Sequence, residues 1–556
     1  MDRQIQTLPL PDGGSTVASS TGYFGYQSTA SGTATVTGSG STWNGGLFYL
    51  GVDGTGSLTV ASGAVVQADA YLGFNTNSTG SATVTGPGST WTGGLYVGFD
   101  GAASLHLTNG GTVNGYGYIG EDAGSTGTVA VDGSGSTWTH ISQFVVADNG
   151  AGTLAITNDG KVVIDDFGSG LIGALSDSTG SVTVDGAGST LAGGMLEVGS
   201  QGAGTLKIAN GAIVSSFFAF IGNAPGSTGV VTVDGAGSTW NISTGELDVG
   251  IYGSGTMRIA NAGVVISEFG YIGSGAATID GPGSRWNITD ELYVDPTSSL
   301  VITNGGKVTA ATLTIDSASA LLAMTVGDGS NLDLGPGILS NIGVIRLAAA
   351  PTATAGSIYT PITASAASTW GAVQALGGTW NSSAATFTVS AAATGNAGAA
   401  VTIDPSTTQR IHITDLGTGH SMIASFLSSP TPGSLVFTAS PVDASDLALL
   451  QNDLSPGSSM VDGWLFTTSG YTSGDPVDLS FDIGSGLLQN DLALWHFDGT
   501  QWTPYSTDIS YDGTFASFTV TGFSGYALTT TSIPEPASLA ILVCGGMGLL
   551  VRRRKA

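Results

Sequence analysis

This sequence predicts an all-β chain: a right-handed parallel β-helix, or solenoid, then a β-sandwich-like region, then a short C-terminal transmembrane helix. Three observations carry the prediction. A seven-residue phrase recurs six times, a shorter signature recurs at about half that spacing, and apolar residues alternate with polar ones through both.

The phrase reads TGSGSTW ending at Trp43, TGPGSTW at Trp91, DGSGSTW at Trp138, DGAGSTL at Leu191, DGAGSTW at Trp240 and DGPGSRW at Trp286, with spacings of 46 to 53 residues. The signature is an aromatic or aliphatic residue, then Leu, Val or Ile, then usually Gly. Examples are Tyr49-Leu50-Gly51, Tyr71-Leu72-Gly73, Tyr96-Val97-Gly98, Tyr118-Ile119-Gly120 and Tyr271-Ile272-Gly273. From Phe24 to Val294 there are 12 such positions, 22 to 28 residues apart. One turn of roughly 25 residues is therefore the structural unit, and each phrase marks two turns.

Period-two alternation makes the elements strands with one buried face. It reads Thr35-Val36-Thr37, Thr83-Val84-Thr85 and Thr232-Val233-Asp234 in one set of turns, and Leu58-Thr59-Val60, Leu105-His106-Leu107 and Met257-Arg258-Ile259 in the other. Twelve rungs at about 4.8 Å make a rod of about 58 Å. Asn109, Asn158, Asn210, Asn261 and Asn304 share one corner, where a column of asparagines can hydrogen-bond along the axis.

The tandem array resembles the repeat shared by autotransporter passenger domains and PEP-CTERM proteins over residues 23 to about 310. Leu191 stands where Trp is usual, and Arg285 where Thr is. The resemblance implies a β-helical surface role without enzymatic activity. The C-terminus resembles the PEP-CTERM sorting signal. Pro534, Glu535 and Pro536 precede an apolar run to Val551, and Arg552, Arg553, Arg554 and Lys555 follow it. That resemblance implies an exosortase-type processing enzyme as partner, cleavage near the Pro-Glu-Pro motif, and release from the inner membrane to the cell surface or the outside. The residues agree. Fifteen apolar residues span about 22 Å as a helix, short of the usual ~20 residues, and the basic run predicts a cytoplasmic tail. Cys544 in that run reads as a small apolar filler.

The expected organisation is a leader of unclear role at 1–22, the repeat β-helix with capping turns at 23–350, a β-rich connecting region at 351–432, a β-sandwich-like module at 433–530 and the sorting signal at 531–556. Asp498-Gly499 reads as a hairpin turn, and 529–532 as a linker. No apolar h-region follows Met1 to Gln6, as a signal peptide requires. The expectation is a misplaced start codon or a chain that is a fragment; the in-frame upstream DNA tests it, and a stop codon directly before Met1 counts against it.

Composition excludes other classes. Among 556 residues, Asp and Glu outnumber Lys and Arg by 40 to 12, for a net charge of -28; nucleic acid as a partner needs the opposite sign. A single cysteine forbids an internal disulfide or a CxxC metal site. At 41% apolar the chain is not disordered. A uronate-handling enzyme needs a base and clustered cations. The repeats carry only Lys161, Lys207, Arg258, Arg285 and Lys307 with His106 and His140, and Asp165-Asp166 point to opposite faces of a strand. The reading is no catalytic residue, no cofactor and no metal.

Three columns offer binding surfaces. Asp132, Asp185, Asp234 and Asp280 begin Asp-Gly turns and could attract calcium. They lie two turns apart, about 9.6 Å, so one ion cannot bridge them. Thr35, Thr83, Thr183, Thr232 and Thr278 could match ice, but Lys207 and Arg258 interrupt them. Trp43, Trp91, Trp138, Trp240 and Trp286 could stack on extracellular polysaccharide if exposed, or fill the core if not.

Overall fold

The computed structural model describes residues 15–530, apart from 141–142, 166–167, 455–456, 488 and 508. It is all-β and dominated by a parallel β-solenoid. Residues 531–556 lie outside the description, and with them the expected transmembrane segment. Among the described residues no helix is long and apolar enough to cross a membrane.

The chain divides into two compact units. One runs to Ala353 and includes Ile358–Gln374 and Trp380–Phe387; the other takes Thr354–Ser357, Ala375–Thr379 and Thr388 onward.

In the first unit each turn contributes three strand segments. The first segments stack into a 15-stranded sheet from Ser31–Thr37 to Ala372–Leu376. The second and third segments share a 24-stranded sheet, because in some turns they run on as one strand, as in Thr42–Leu50 and Thr239–Val249. Pairing is parallel and residue-for-residue, apart from register shifts between Asn44 and Leu47 and between Ile242 and Glu246. Thr126 to Asp132 face Ala151 to Thr157 on one side and Ala102 to Thr108 on the other. This register follows from the alternation, since a slip of one residue would turn Val129 and Val131 outward.

The winding begins before the expected boundary at 23, with Thr16–Phe24 paired to Thr42–Leu50. It also outlasts the phrase. Thr312–Ile315, Leu321–Val326 and Val344–Ala349 continue the columns in register, and the winding passes the expected end at 350, where Ile362–Thr363 pairs parallel with Asn331–Asp333. One corner keeps G-x-G-S at Gly327-Asp328-Gly329-Ser330, with Asn331 in place of the Thr, and Ser330 accepts the Gly305 N–H at 3.1 Å.

Glycine is required where turns close on one another. A Cβ at Gly127 would lie 2.1 Å from the Val97 carbonyl oxygen. Gly98, at φ +76°, would put one 2.4 Å from the Thr126 oxygen.

The second unit is a sandwich of two six-stranded sheets. Its core joins Ile411, Met422, Leu479, Phe481 and Phe518 to Phe437, Trp464, Tyr526 and Leu528. It starts earlier than the expected 433. Ala392–Asn396, Val401–Ile403, Arg410–Thr414 and Ser421–Ser425 are sandwich strands, whose apolar alternation is short and diluted by Thr and Ala. The hairpin at Asp498-Gly499 is as expected: Asp498 Oδ1 accepts the Thr500 and Gln501 N–H groups at 2.7 and 2.9 Å, and Leu492–Phe497 pairs antiparallel with Trp502–Pro504. Thr529 and Thr530, expected in a linker, finish the strand Gly525–Thr530. One helix, Ala444–Asp453, departs from the all-strand expectation. Asp443 caps it by accepting the Ser445 and Asp446 N–H groups.

Candidate functional site: an outward tyrosine strip

The phrase itself is structural. In DGSGSTW the two glycines, Gly133 and Gly135, take φ of +90° and +81°. Ser136 donates to the Asp132 carbonyl at 2.7 Å and accepts the Gly110 N–H of the preceding turn at 3.1 Å. Ser238 repeats this with Asp234 and Gly211 at 2.6 and 3.0 Å. Ser89 and Ser284 clamp turn to turn in the same way, whereas the Ser41 hydroxyl of the first copy is buried without a partner among the described residues.

The expected asparagine column does not bond to itself. Asn158, Asn210, Asn261 and Asn304 lie two turns apart, beyond one another's reach. Each donates instead to the aspartate of the intervening turn: to Asp132, Asp185 and Asp234 at 2.6 Å and to Asp280 at 2.8 Å. The aspartates weighed for calcium thus hold asparagine amides. Hydrogen bonds from Thr157 and Asn158 pull the Asp132 carboxyl below its ordinary range. Arg258, which interrupts the threonine column, bonds Asp280.

Trp91, Trp138, Trp240 and Trp286 are fully buried and Trp43 is nearly so. Between them the same column carries Val66, Val113, Val162, Val214 and Val265. Bulky and small residues alternate and interdigitate. Every indole N–H is used inward, as in Trp91 to the Ala68 oxygen at 2.8 Å and Trp286 to Ser267 Oγ at 3.0 Å. These rings fill the core and present no face to a sugar.

Phe217, Phe218, Phe269 and Tyr252 are exposed, but the aromatic residues that form a continuous outer row are tyrosines. In the Tyr-Leu-Gly signature Leu50, Leu72, Val97 and Ile119 point inward, so Tyr23, Tyr49, Tyr71, Tyr96 and Tyr118 point outward in register. Successive rings are near-parallel at 5.1, 5.6, 4.6 and 5.2 Å between centroids. Phe74 and Phe99 flank them edge-to-face, 4.7 Å from Tyr49 and 4.9 Å from Tyr71. Tyr26 extends the row at 5.6 Å from Tyr23, and Tyr116 packs 5.8 Å from Tyr96. Tyr23 and Tyr26 are exposed. Burial, with neighbouring phenols and carboxylates, raises the Tyr49, Tyr96, Tyr116 and Tyr118 phenols. They are neutral hydroxyls at physiological pH. Sequence reading used these residues only as spacing marks. The signal that finds them is parity: if Leu50 is inside, Tyr49 is outside.

Further along, the column changes character to Val145, Leu171, Glu197, Phe220, Asp248, Tyr271 and Tyr293. Burial and the Glu246 carboxylate push Asp248 up to about 8. In the corner below Tyr118, burial with Asp148 and Asp122 pushes Glu121 to about 7. His140 is buried between Trp138 and Phe144, and desolvation lowers its imidazole to about 3; it is a neutral core residue. His106 and Lys207 stand in the outward threonine column.

Pro534, Glu535, Pro536, Arg552, Arg553, Arg554 and Lys555 lie outside the described residues. No model of a known protein family matches the chain, and no curated protein does either.

Proposed function

We propose that the chain is an exported, non-enzymatic surface or extracellular-matrix protein with a structural or adhesive role, sorted through its C-terminal signal as an exosortase substrate. The observation that carries the passive role is the tyrosine strip. One solvent-facing group recurs rung after rung on a frame whose polar side chains are engaged turn to turn, so weak contacts add by multivalency. Export rests on the order Pro-Glu-Pro, apolar run and arginine cluster at the C-terminus. The test is mass spectrometry of the native C-terminal peptide after separating membrane, envelope and medium. A chain ending near Pro536 outside the inner membrane supports the proposal. An intact basic tail held in the membrane makes the protein a fixed anchor and removes the matrix role.

A carbohydrate-binding surface protein is the second reading, and the same strip favours it. With the tryptophans enclosed, ring and hydroxyl contacts to a polysaccharide fall to the tyrosines. Glycan-array binding lost in Tyr96→Ala supports this reading, and binding unaffected by that change removes it.

A further inference from the structure

We propose that the tyrosine strip is a site of oxidative cross-linking, in which stacked tyrosines of adjacent turns couple into dityrosine under a peroxidase-type one-electron oxidant and hydrogen peroxide. The inference rests on the strip's geometry and not on export or adhesion.

Coupling of two phenoxyl radicals needs two tyrosines that are reachable by oxidant and already paired. Both conditions hold. Tyr23 and Tyr26 are 46% and 59% exposed, an entry point at one end of the row. The row has seven rings with no gap above 5.8 Å: Tyr26, Tyr23, Tyr49, Tyr71, Tyr96, and then Tyr118 and Tyr116 beside Tyr96. A radical made at the exposed end can pass along this row. The closest and most parallel pair is Tyr71 with Tyr96, at 4.6 Å and 6°. The solenoid register holds them together before any reaction, which replaces a bimolecular encounter with an intramolecular one.

The chemistry balances. Each phenol loses one electron to the oxidised peroxidase and one proton to solvent or to a nearby carboxylate. Asp69 and Glu121 lie close enough to influence Tyr116 and Tyr118. Two phenoxyl radicals then form one carbon–carbon bond between ortho positions. The two ortho hydrogens leave as protons while both oxygens regain theirs. The pair loses two hydrogen atoms overall, and one hydrogen peroxide becomes two waters. The product is a covalent staple between turns 22 to 26 residues apart, placed where the parallel rungs have only hydrogen bonds and packing.

The experiment treats the dilute full chain with a haem peroxidase and hydrogen peroxide, then measures dityrosine fluorescence, intact mass and size. Cleavage before aspartate maps the bonds. Asp53, Asp69 and Asp100 separate Tyr49, the Tyr71–Tyr96 pair and Tyr118 onto different fragments. The expected product is a monomer lacking two hydrogens per bond, linked within the strip. Tyr71→Phe with Tyr96→Phe keeps both rings and should at least halve the yield, whereas Tyr252→Phe, at a 71% exposed tyrosine outside the strip, should leave it unchanged. Dityrosine found only between chains, or a map and yield indifferent to the strip, overturns the proposal. The wild-type fragment map decides the matter even if a variant misfolds.

Discussion

The tryptophan column and the tyrosine column rise along the same sheet, a few residues apart in every turn, yet they are held by different things. The tryptophans alternate with valines because a closed core has a set volume per pair of turns, and each indole N–H must find an inward acceptor. The tyrosines have no such volume limit. They stack continuously for five turns and then give way to Val145, Leu171, Glu197 and Asp248, because an outward position tolerates any residue that packs on its neighbours. A column inside the turns is constrained by the volume they enclose. One on the outer face is free to vary, even where neighbouring side chains cover Val145, Glu197 and Asp248.

That comparison can be broken from either side. The largest effect is expected for Trp138→Ala, which leaves a cavity between Val113 and Val162 and should cost about 3–5 kcal/mol in denaturant unfolding. A loss near that of a surface change would show that the column is not the core. Next is the acid limb of stability. Neutral His140 has a folded value of about 3 against an ordinary 6.5, so the unfolded chain binds the extra proton. Stability from this group is whole above 6.5 and drains away as pH falls towards 3. His140→Phe should flatten that limb by roughly a few kcal/mol, seen as melting temperature against pH.

Smaller effects sharpen the contrast. Ser238→Ala removes a clamp that both donates and accepts, and should cost about 1–3 kcal/mol; a neutral result would mean the phrase is retained for another reason. Tyr71→Ala should cost about 0.5–1.5 kcal/mol for lost stacking, well below Trp138→Ala. An equal loss from both would erase the distinction between the columns. Asp248→Asn acts through pH and not through a lost contact. Its folded value, raised from 3.8 to about 8 by burial and Glu246, favours the folded state at low pH and withdraws that stability as pH rises through this window. The variant should lose less stability between pH 3.8 and about 8, seen as melting temperature against pH.

Much of this was legible in particular residues. Leu58-Thr59-Val60 and its counterparts state which side chains are inside, and the phrase spacing states how long a turn is. The clamp by Ser136 and the pairing of Asn158 with Asp132 were not legible. Both join residues 26 apart whose roles depend on which corner lies beneath which. The same holds for the sandwich strands before 433, whose weak alternation becomes decisive only when Met422 and Phe481 meet across neighbouring strands.

The sequence by itself determined that this chain winds, the length of each turn and the parity of each strand, because periodicity is local and survives any arrangement of the turns. Only the tertiary structure decided which aromatic column is enclosed and which is displayed, since that depends on the side of the sheet that closes around the core. It also decided that aspartate meets asparagine, and that five tyrosines separated by 22 to 26 residues come within 6 Å of one another. Stacking one turn on the next converts a repeat in the chain into a row in space.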